Sequence, residues 1–116
     1  MEDSILKSVK GYVGIDDESF DQDILMNINA AFSTLYQIGV ESVKNVTVCD
    51  ETDSWSEVFA NEAELINLCR QYVYLKCRVI FDPPSNSFVL EAMKSQISEL
   101  EWRINIQAEG GFDEDE

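Results

Sequence analysis

Apolar residues recur along this chain at helical spacing in three long stretches. Ile24, Ile28, Ala31, Leu35 and Ile38 follow one another at intervals of four, three, four and three, which predicts a helix with one buried stripe that Gly39 closes. Leu65, Leu68, Tyr72, Leu75 and Val79 form a second stripe, doubled on the opposite side by Ile66, Val73, Cys77 and Ile80. A helix with so little polar face must be enclosed by other elements, so this segment is the predicted centre of the fold. Asp82-Pro83-Pro84 ends it, because each proline lacks an N–H and Pro84 drives Pro83 out of the helical region. Asn86 or Ser87 then caps a final helix reaching about Gln107, with Val89, Met93, Ile97, Leu100 and Ile104 on its buried side.

Shorter patterns fill the intervals. Ile5, Leu6 and Val9 predict a brief helix ended by Gly11 and Gly14, and Ser19-x-x-Gln22 reads as a capping box for the helix that follows. Ser54-x-x-Glu57 caps a single turn carrying Trp55, Val58 and Phe59, and Asn61-x-x-Glu64 opens the central helix. From Val43 to Cys49 the period changes to two, with Val46 and Val48 on one face, as in a short strand or extended arm. Such an arm needs a second strand in the chain or a neighbouring subunit, since a free edge is a liability. The fold class expected is all-α: a small bundle of about four helices, with a short extended or β segment between the second and central ones. One helical domain over residues 1–108 and a disordered acidic tail over 109–116 complete the organisation.

Charge narrows the function. Eight Lys and Arg against 23 Asp and Glu give a formal charge of −15, which opposes binding to nucleic acid and to anionic lipid. Five of those acids, Glu109, Asp113, Glu114, Asp115 and Glu116, form the tail, yet the excess persists without them. Basic or polar protein surfaces are the fitting partners. Cys49, Cys69 and Cys77 form no Cys-x-x-Cys pair and the chain has no histidine, which argues against structural zinc. Met1-Glu-Asp-Ser-Ile-Leu-Lys7 lacks the charge and apolar core of a secretory signal, so three thiols in a reducing compartment are expected. No apolar run suits a membrane span. Asp16, Asp17, Glu18, Asp21 and Asp23 lack the glycine and terminal glutamate of a calcium loop, and no pocket-forming motif accompanies them to suggest acid–base catalysis. No enzyme activity, metal or cofactor is therefore predicted.

The run from Tyr72 to Phe88, with Phe81-Asp-Pro-Pro84 and Ser87-Phe88-Val89-Leu90, and the ending Leu100-Glu-Trp-Arg-Ile-Asn105, resemble the head–tail connector proteins of long-tailed bacteriophages, the gp6-like or gp15-like adaptors. Tyr12-Val-Gly-Ile15 and Asp23-Ile-Leu-Met-Asn-Ile-Asn-Ala30 extend the likeness to about Leu6–Ile106. The resemblance implies a small helical subunit of a virion ring, seated beneath the portal protein and presenting a surface to a tail-side connector or completion protein. It implies no catalytic residues. DNA would be only non-specific cargo in the ring's channel, and an acidic wall would let it slide without adhering.

The residues expected to meet a sister copy or partner are Val46 and Val48 on the arm, Trp55 and Phe59 beside it, Arg70 and Arg78 on the central helix, and Trp102 and Ile106 on the last. Trp102 reads equally as an edge-of-core residue, since large aromatics with a polar handle serve in both places. Arg70 and Arg78 are either solvated or ties to carboxylates of an adjacent subunit. Two other functions fit the pattern: an acidic mimic of nucleic acid occupying a basic cleft, and a plain helical interaction module without a virion role.

Overall fold

In the computed structural model, which describes residues 3–109, the chain forms α1 (Ile5–Val13), α2 (Asp21–Gln37), the single turn α3 (Trp55–Val58), α4 (Ile66–Phe81) and α5 (Ser87–Ala108), linked by 3-10 turns at Glu18–Phe20, Glu41–Val43 and Ala63–Leu65. This is the expected all-α bundle. Beyond Glu109, the predicted acidic tail lies outside the described residues.

Helix α4 is the centre, as its two-sided apolar pattern required. It packs against α1, α2, α3 and α5, and its Cys69, Tyr72, Val73 and Cys77 are buried. Asp82 follows its last turn, and the Pro83-Pro84 break turns the chain back so that α5 runs along α4. Asn86 caps α5 through Oδ1, which accepts from the backbone N–H groups of Phe88 at 2.7 Å and Val89 at 3.2 Å. A side-chain bond then ties the two helices, the buried Tyr72 hydroxyl donating to Glu101 Oε2 at 2.8 Å.

Helix α2 ends in a Schellman turn. Val40 N–H donates to Leu35 O at 3.0 Å and Gly39 N–H to Tyr36 O at 3.1 Å, with Gly39 at φ 114°. Glycine tolerates that angle without a Cβ penalty, and Val40 and Leu35 bury against each other as the motif requires. Two predicted caps are corrected. Ser19 does not cap α2; Asp17 Oδ1 instead accepts from Ser19 N–H at 2.8 Å and starts the 3-10 turn from which α2 continues. Asn61 caps nothing, because Glu62 precedes the 3-10 turn that leads into α4. Gly11 does not stop α1, which runs to Val13 and ends at Gly14, φ 79°. Ser54 does cap α3, its Oγ accepting from Glu57 N–H at 3.2 Å.

The segment between α2 and α4 is not a β-strand. Lys44 at φ −62°, ψ 124° followed by Asn45 at φ 60° makes a type II turn closed by Val46 N–H donating to Val43 O at 3.1 Å. That turn breaks the alternation, so Val43 and Val48 both reach the core and no strand forms. The segment finds its partner in a side chain. Asn29 of α2 accepts from Val48 N–H at 2.8 Å through Oδ1 and donates to Val48 O at 3.0 Å through Nδ2, as a neighbouring strand would. Among the described residues the one β-type pairing joins Ser4 to Ser54, where Ile5 N–H donates to Asp53 O and Trp55 N–H to Asp3 O.

Replacing Asn29 with alanine leaves both backbone groups of the buried Val48 without this partner. Urea unfolding should show a loss of about 1–3 kcal/mol, the usual cost of stranding buried polar groups. Asn29→Asp should not restore it, because aspartate lacks the amide donor.

Candidate interaction surfaces

The aromatic residues divide into those the subunit encloses and those it presents. Trp55 is fully buried among Phe32, Phe59 and Tyr74, at ring-centroid distances of 6.2–6.3 Å. Its indole N–H donates to Ser8 Oγ at 2.8 Å, so its polar end is satisfied inside the fold. Arg70 lies over the indole at 5.3 Å and its Nε donates to the Tyr74 hydroxyl at 3.1 Å. Tyr74 in turn stacks on Tyr12 of α1, with centroids 4.8 Å apart.

Burial separates three of the eight expected contact residues from the rest. Val48, Trp55 and Phe59 belong to the subunit's own core and offer no surface in this conformation. Val46 packs partly against the same core, and Ile106 is half-buried on α5. Arg78 donates from Nε to Asp82 O at 3.4 Å and pairs with the Asp82 carboxylate at 3.9 Å, closing the C-terminal turn of α4. Trp102 does the opposite of Trp55: it is 60% exposed on α5 and is not a core residue.

Two exposed apolar groups escaped the sequence reading. One occupies the far end of the α4–α5 hairpin, where Phe88 is 85% and Ile80 55% exposed and Val89 is also exposed. Ile80 and Val89 carry the same spacing as their buried neighbours. They lie beside the double proline, however, where the body of the bundle no longer covers the pair, and Met93 is the first residue of α5 to be buried. The other group is Phe20 and Met26, the latter 70% exposed, at the start of α2. Asp16, Asp17, Glu18 and Asp23 surround it in sequence, and all are exposed.

One cleft of about 560 Å³ is an open groove between α2 and the Val43–Thr47 segment. Another, of about 330 Å³, lies between α4 and α5 and is lined by Lys76, Val79, Ile80, Lys94, Ile97 and Ser98. Among the described residues no group of three or more Cys, Asp or Glu side chains is placed to hold a metal ion, and no helix is long and apolar enough to cross a membrane. The buried thiols are inert: burial pushes Cys69 and Cys77 up from the usual 9.0 to about 12, with the Glu62 carboxylate adding to the effect on Cys69. Cys49 is exposed.

The described residues thus form five helices with several large apolar side chains held outward. A family model described as "Phage connector protein" matches residues 5–111, nearly the whole chain. The protein belongs to the phage connector family and is a structural connector, in keeping with the resemblance carried by Tyr72–Phe88 and Leu100–Asn105. No curated protein and no solved structure matches it.

Two predictions follow from the enclosed and presented side chains. Trp55→Ala should cost about 3–5 kcal/mol of stability, as large core truncations do, whereas Trp102→Ala should change it by no more than about 0.5 kcal/mol; thermal unfolding of the two variants checks both values. The thiols set an alkaline limit. In the unfolded chain they ionise near 9.0, while the fold keeps them protonated to about 12, so their contribution is intact below pH 9 and is lost as pH rises through that window. The urea midpoint should fall above pH 9, and less steeply in a Cys69→Ala, Cys77→Ala variant. A native sample at about pH 8 should be alkylated at Cys49 alone, since reactivity follows the exposed thiolate.

Proposed function

We propose that this connector subunit forms part of a ring at the head–tail junction of the virion, between the portal protein and a tail-side connector or completion protein. The observation carrying the reading is the outward apolar set of Ile80, Phe88, Val89 and Trp102 on a chain whose family match covers residues 5–111. Solvated apolar side chains of this size, clustered on one helical hairpin, are characteristic of surfaces covered on assembly. The subunit acts by passive assembly after folding in the host cytoplasm.

Its acidity suits a protein beside a DNA channel. Each cation presented to a polyanion strengthens adhesion, and a formal charge of −15 keeps that adhesion low. DNA passes such a wall as cargo and is not bound by it.

Light scattering of the subunit mixed with the portal protein tests the reading. A complex larger than either component is expected, with Phe88→Asp and Trp102→Ala weakening it while leaving circular dichroism unchanged. A subunit that never joins the portal protein, alone or with the tail-side protein present, would exclude the proposed position.

A further inference from the structure

We infer that sister subunits join through one specific pairing: the lysine-rimmed groove of the α4–α5 hairpin on one copy receives the acidic Phe20–Met26 edge of the next. The inference rests on the connector reading and adds to it the identity of the two faces.

The groove is unusual for this chain. Val79, Ile80 and Ile97 supply its apolar lining, Lys76 and Lys94 its charge, and no carboxylate lines it. Two of only eight basic residues in a chain with 23 acids therefore flank one apolar cleft. Neither lysine is tightly engaged. Lys94 meets Glu91 at 3.9 Å with both side chains more than half exposed, and Lys76 lies 5.8 Å from the Tyr72 ring centroid.

The other face has the complementary composition. Phe20, Asp23 and Met26 follow one another at intervals of three on the exposed side of the α2 entry, with Asp16, Asp17 and Glu18 just before them. Lys10, the nearest cation, is taken by Asp21 at 2.7 Å. Among the described residues no ion pair reaches Asp16, Asp17, Glu18 or Asp23, and Lys10, whose field reaches Asp16, Asp17 and Glu18, is one cation against this whole group of carboxylates.

Apolar side chains ringed by cations on one element and by carboxylates on another can bury together while their charges pair at the rim. Opposite potentials also align the encounter and disfavour the self-matched arrangement of groove on groove. Two different complementary faces on one subunit give a head-to-tail contact, which closes into a ring when the rotation between neighbours allows it. A self-complementary patch would stop at a dimer.

Reversing each face tests the pairing. Lys76→Glu with Lys94→Glu makes the groove acidic, and Asp16→Lys with Asp23→Lys makes the edge basic. Wild-type protein at about 1 mM and low salt should self-associate by sedimentation velocity, weakening as salt screens the rim. Either reversed variant alone should associate at least about tenfold more weakly. Mixed in equal amounts they should recover, because each reversed face then meets its complement, and native mass spectrometry should find both variants in every oligomer. Ile80→Ser, which removes exposed apolar surface from the groove and leaves its charge unchanged, should also weaken association, and circular dichroism checks the fold of every variant. Strictly monomeric wild type, a reversed variant that associates normally, or a mixture that fails to recover would each overturn the pairing. Binding of the same proteins to the portal protein separates the two ideas: if it persists, the connector position stands and only the proposed faces fall.

Discussion

The burial of one indole ring holds this structure together. Trp55 sits on a one-turn helix too short to be stable alone, in the long connection over residues 38–65 that would otherwise be expected to lie loosely on the surface. Its ring fills the space between α1, α2 and α4, and its N–H is satisfied by Ser8. Because the indole touches elements from both halves of the chain, its burial fixes the loop's position and the packing of the bundle together. Arg70 adds a cation over the ring face, an attraction that strengthens as the pair is drawn out of water.

A connector subunit needs this division of labour between side chains. Residues that must keep their place in an unassembled copy are tied by internal bonds: Trp55 to Ser8, Tyr72 to Glu101, Val48 to Asn29. Those of the outer hairpin, including Ile80 and Phe88, are mostly exposed and contribute little to the subunit's own core. Folding and assembly can then be tuned at separate positions, since substitutions on the hairpin end leave the Trp55 cluster untouched.

Much of the bundle was legible in the residues. The apolar stripes of α2, α4 and α5, the proline break after Phe81, the cap at Asn86 and the glycine closing α2 all act through local geometry, which spacing reveals. The loop was harder to read because its alternation of Val46 and Val48 is real but interrupted. The turn at Lys44-Asn45 reverses the chain, and the hydrogen bonds expected from a second strand come instead from an asparagine nineteen residues away. Trp55 and Trp102 look alike in sequence, each an aromatic beside polar neighbours. Their fates differ because α1, α2 and α4 enclose Trp55, which no local pattern reports, while Trp102 lies on a side of α5 that the bundle leaves 60% exposed. The outer hairpin was missed for the opposite reason. Ile80 and Val89 keep the spacing of buried residues after the body that would bury them has ended.

The clasp between Asn29 and Val48 has a mechanical consequence. A ladder of backbone bonds resists both sliding and twisting along its length, whereas two bonds converging on one residue resist sliding alone. The segment from Lys44 to Thr47 therefore owes its inclination against α2 to packing, through the buried Val43 and the partly buried Val46, and the clasp fixes only its position along the helix.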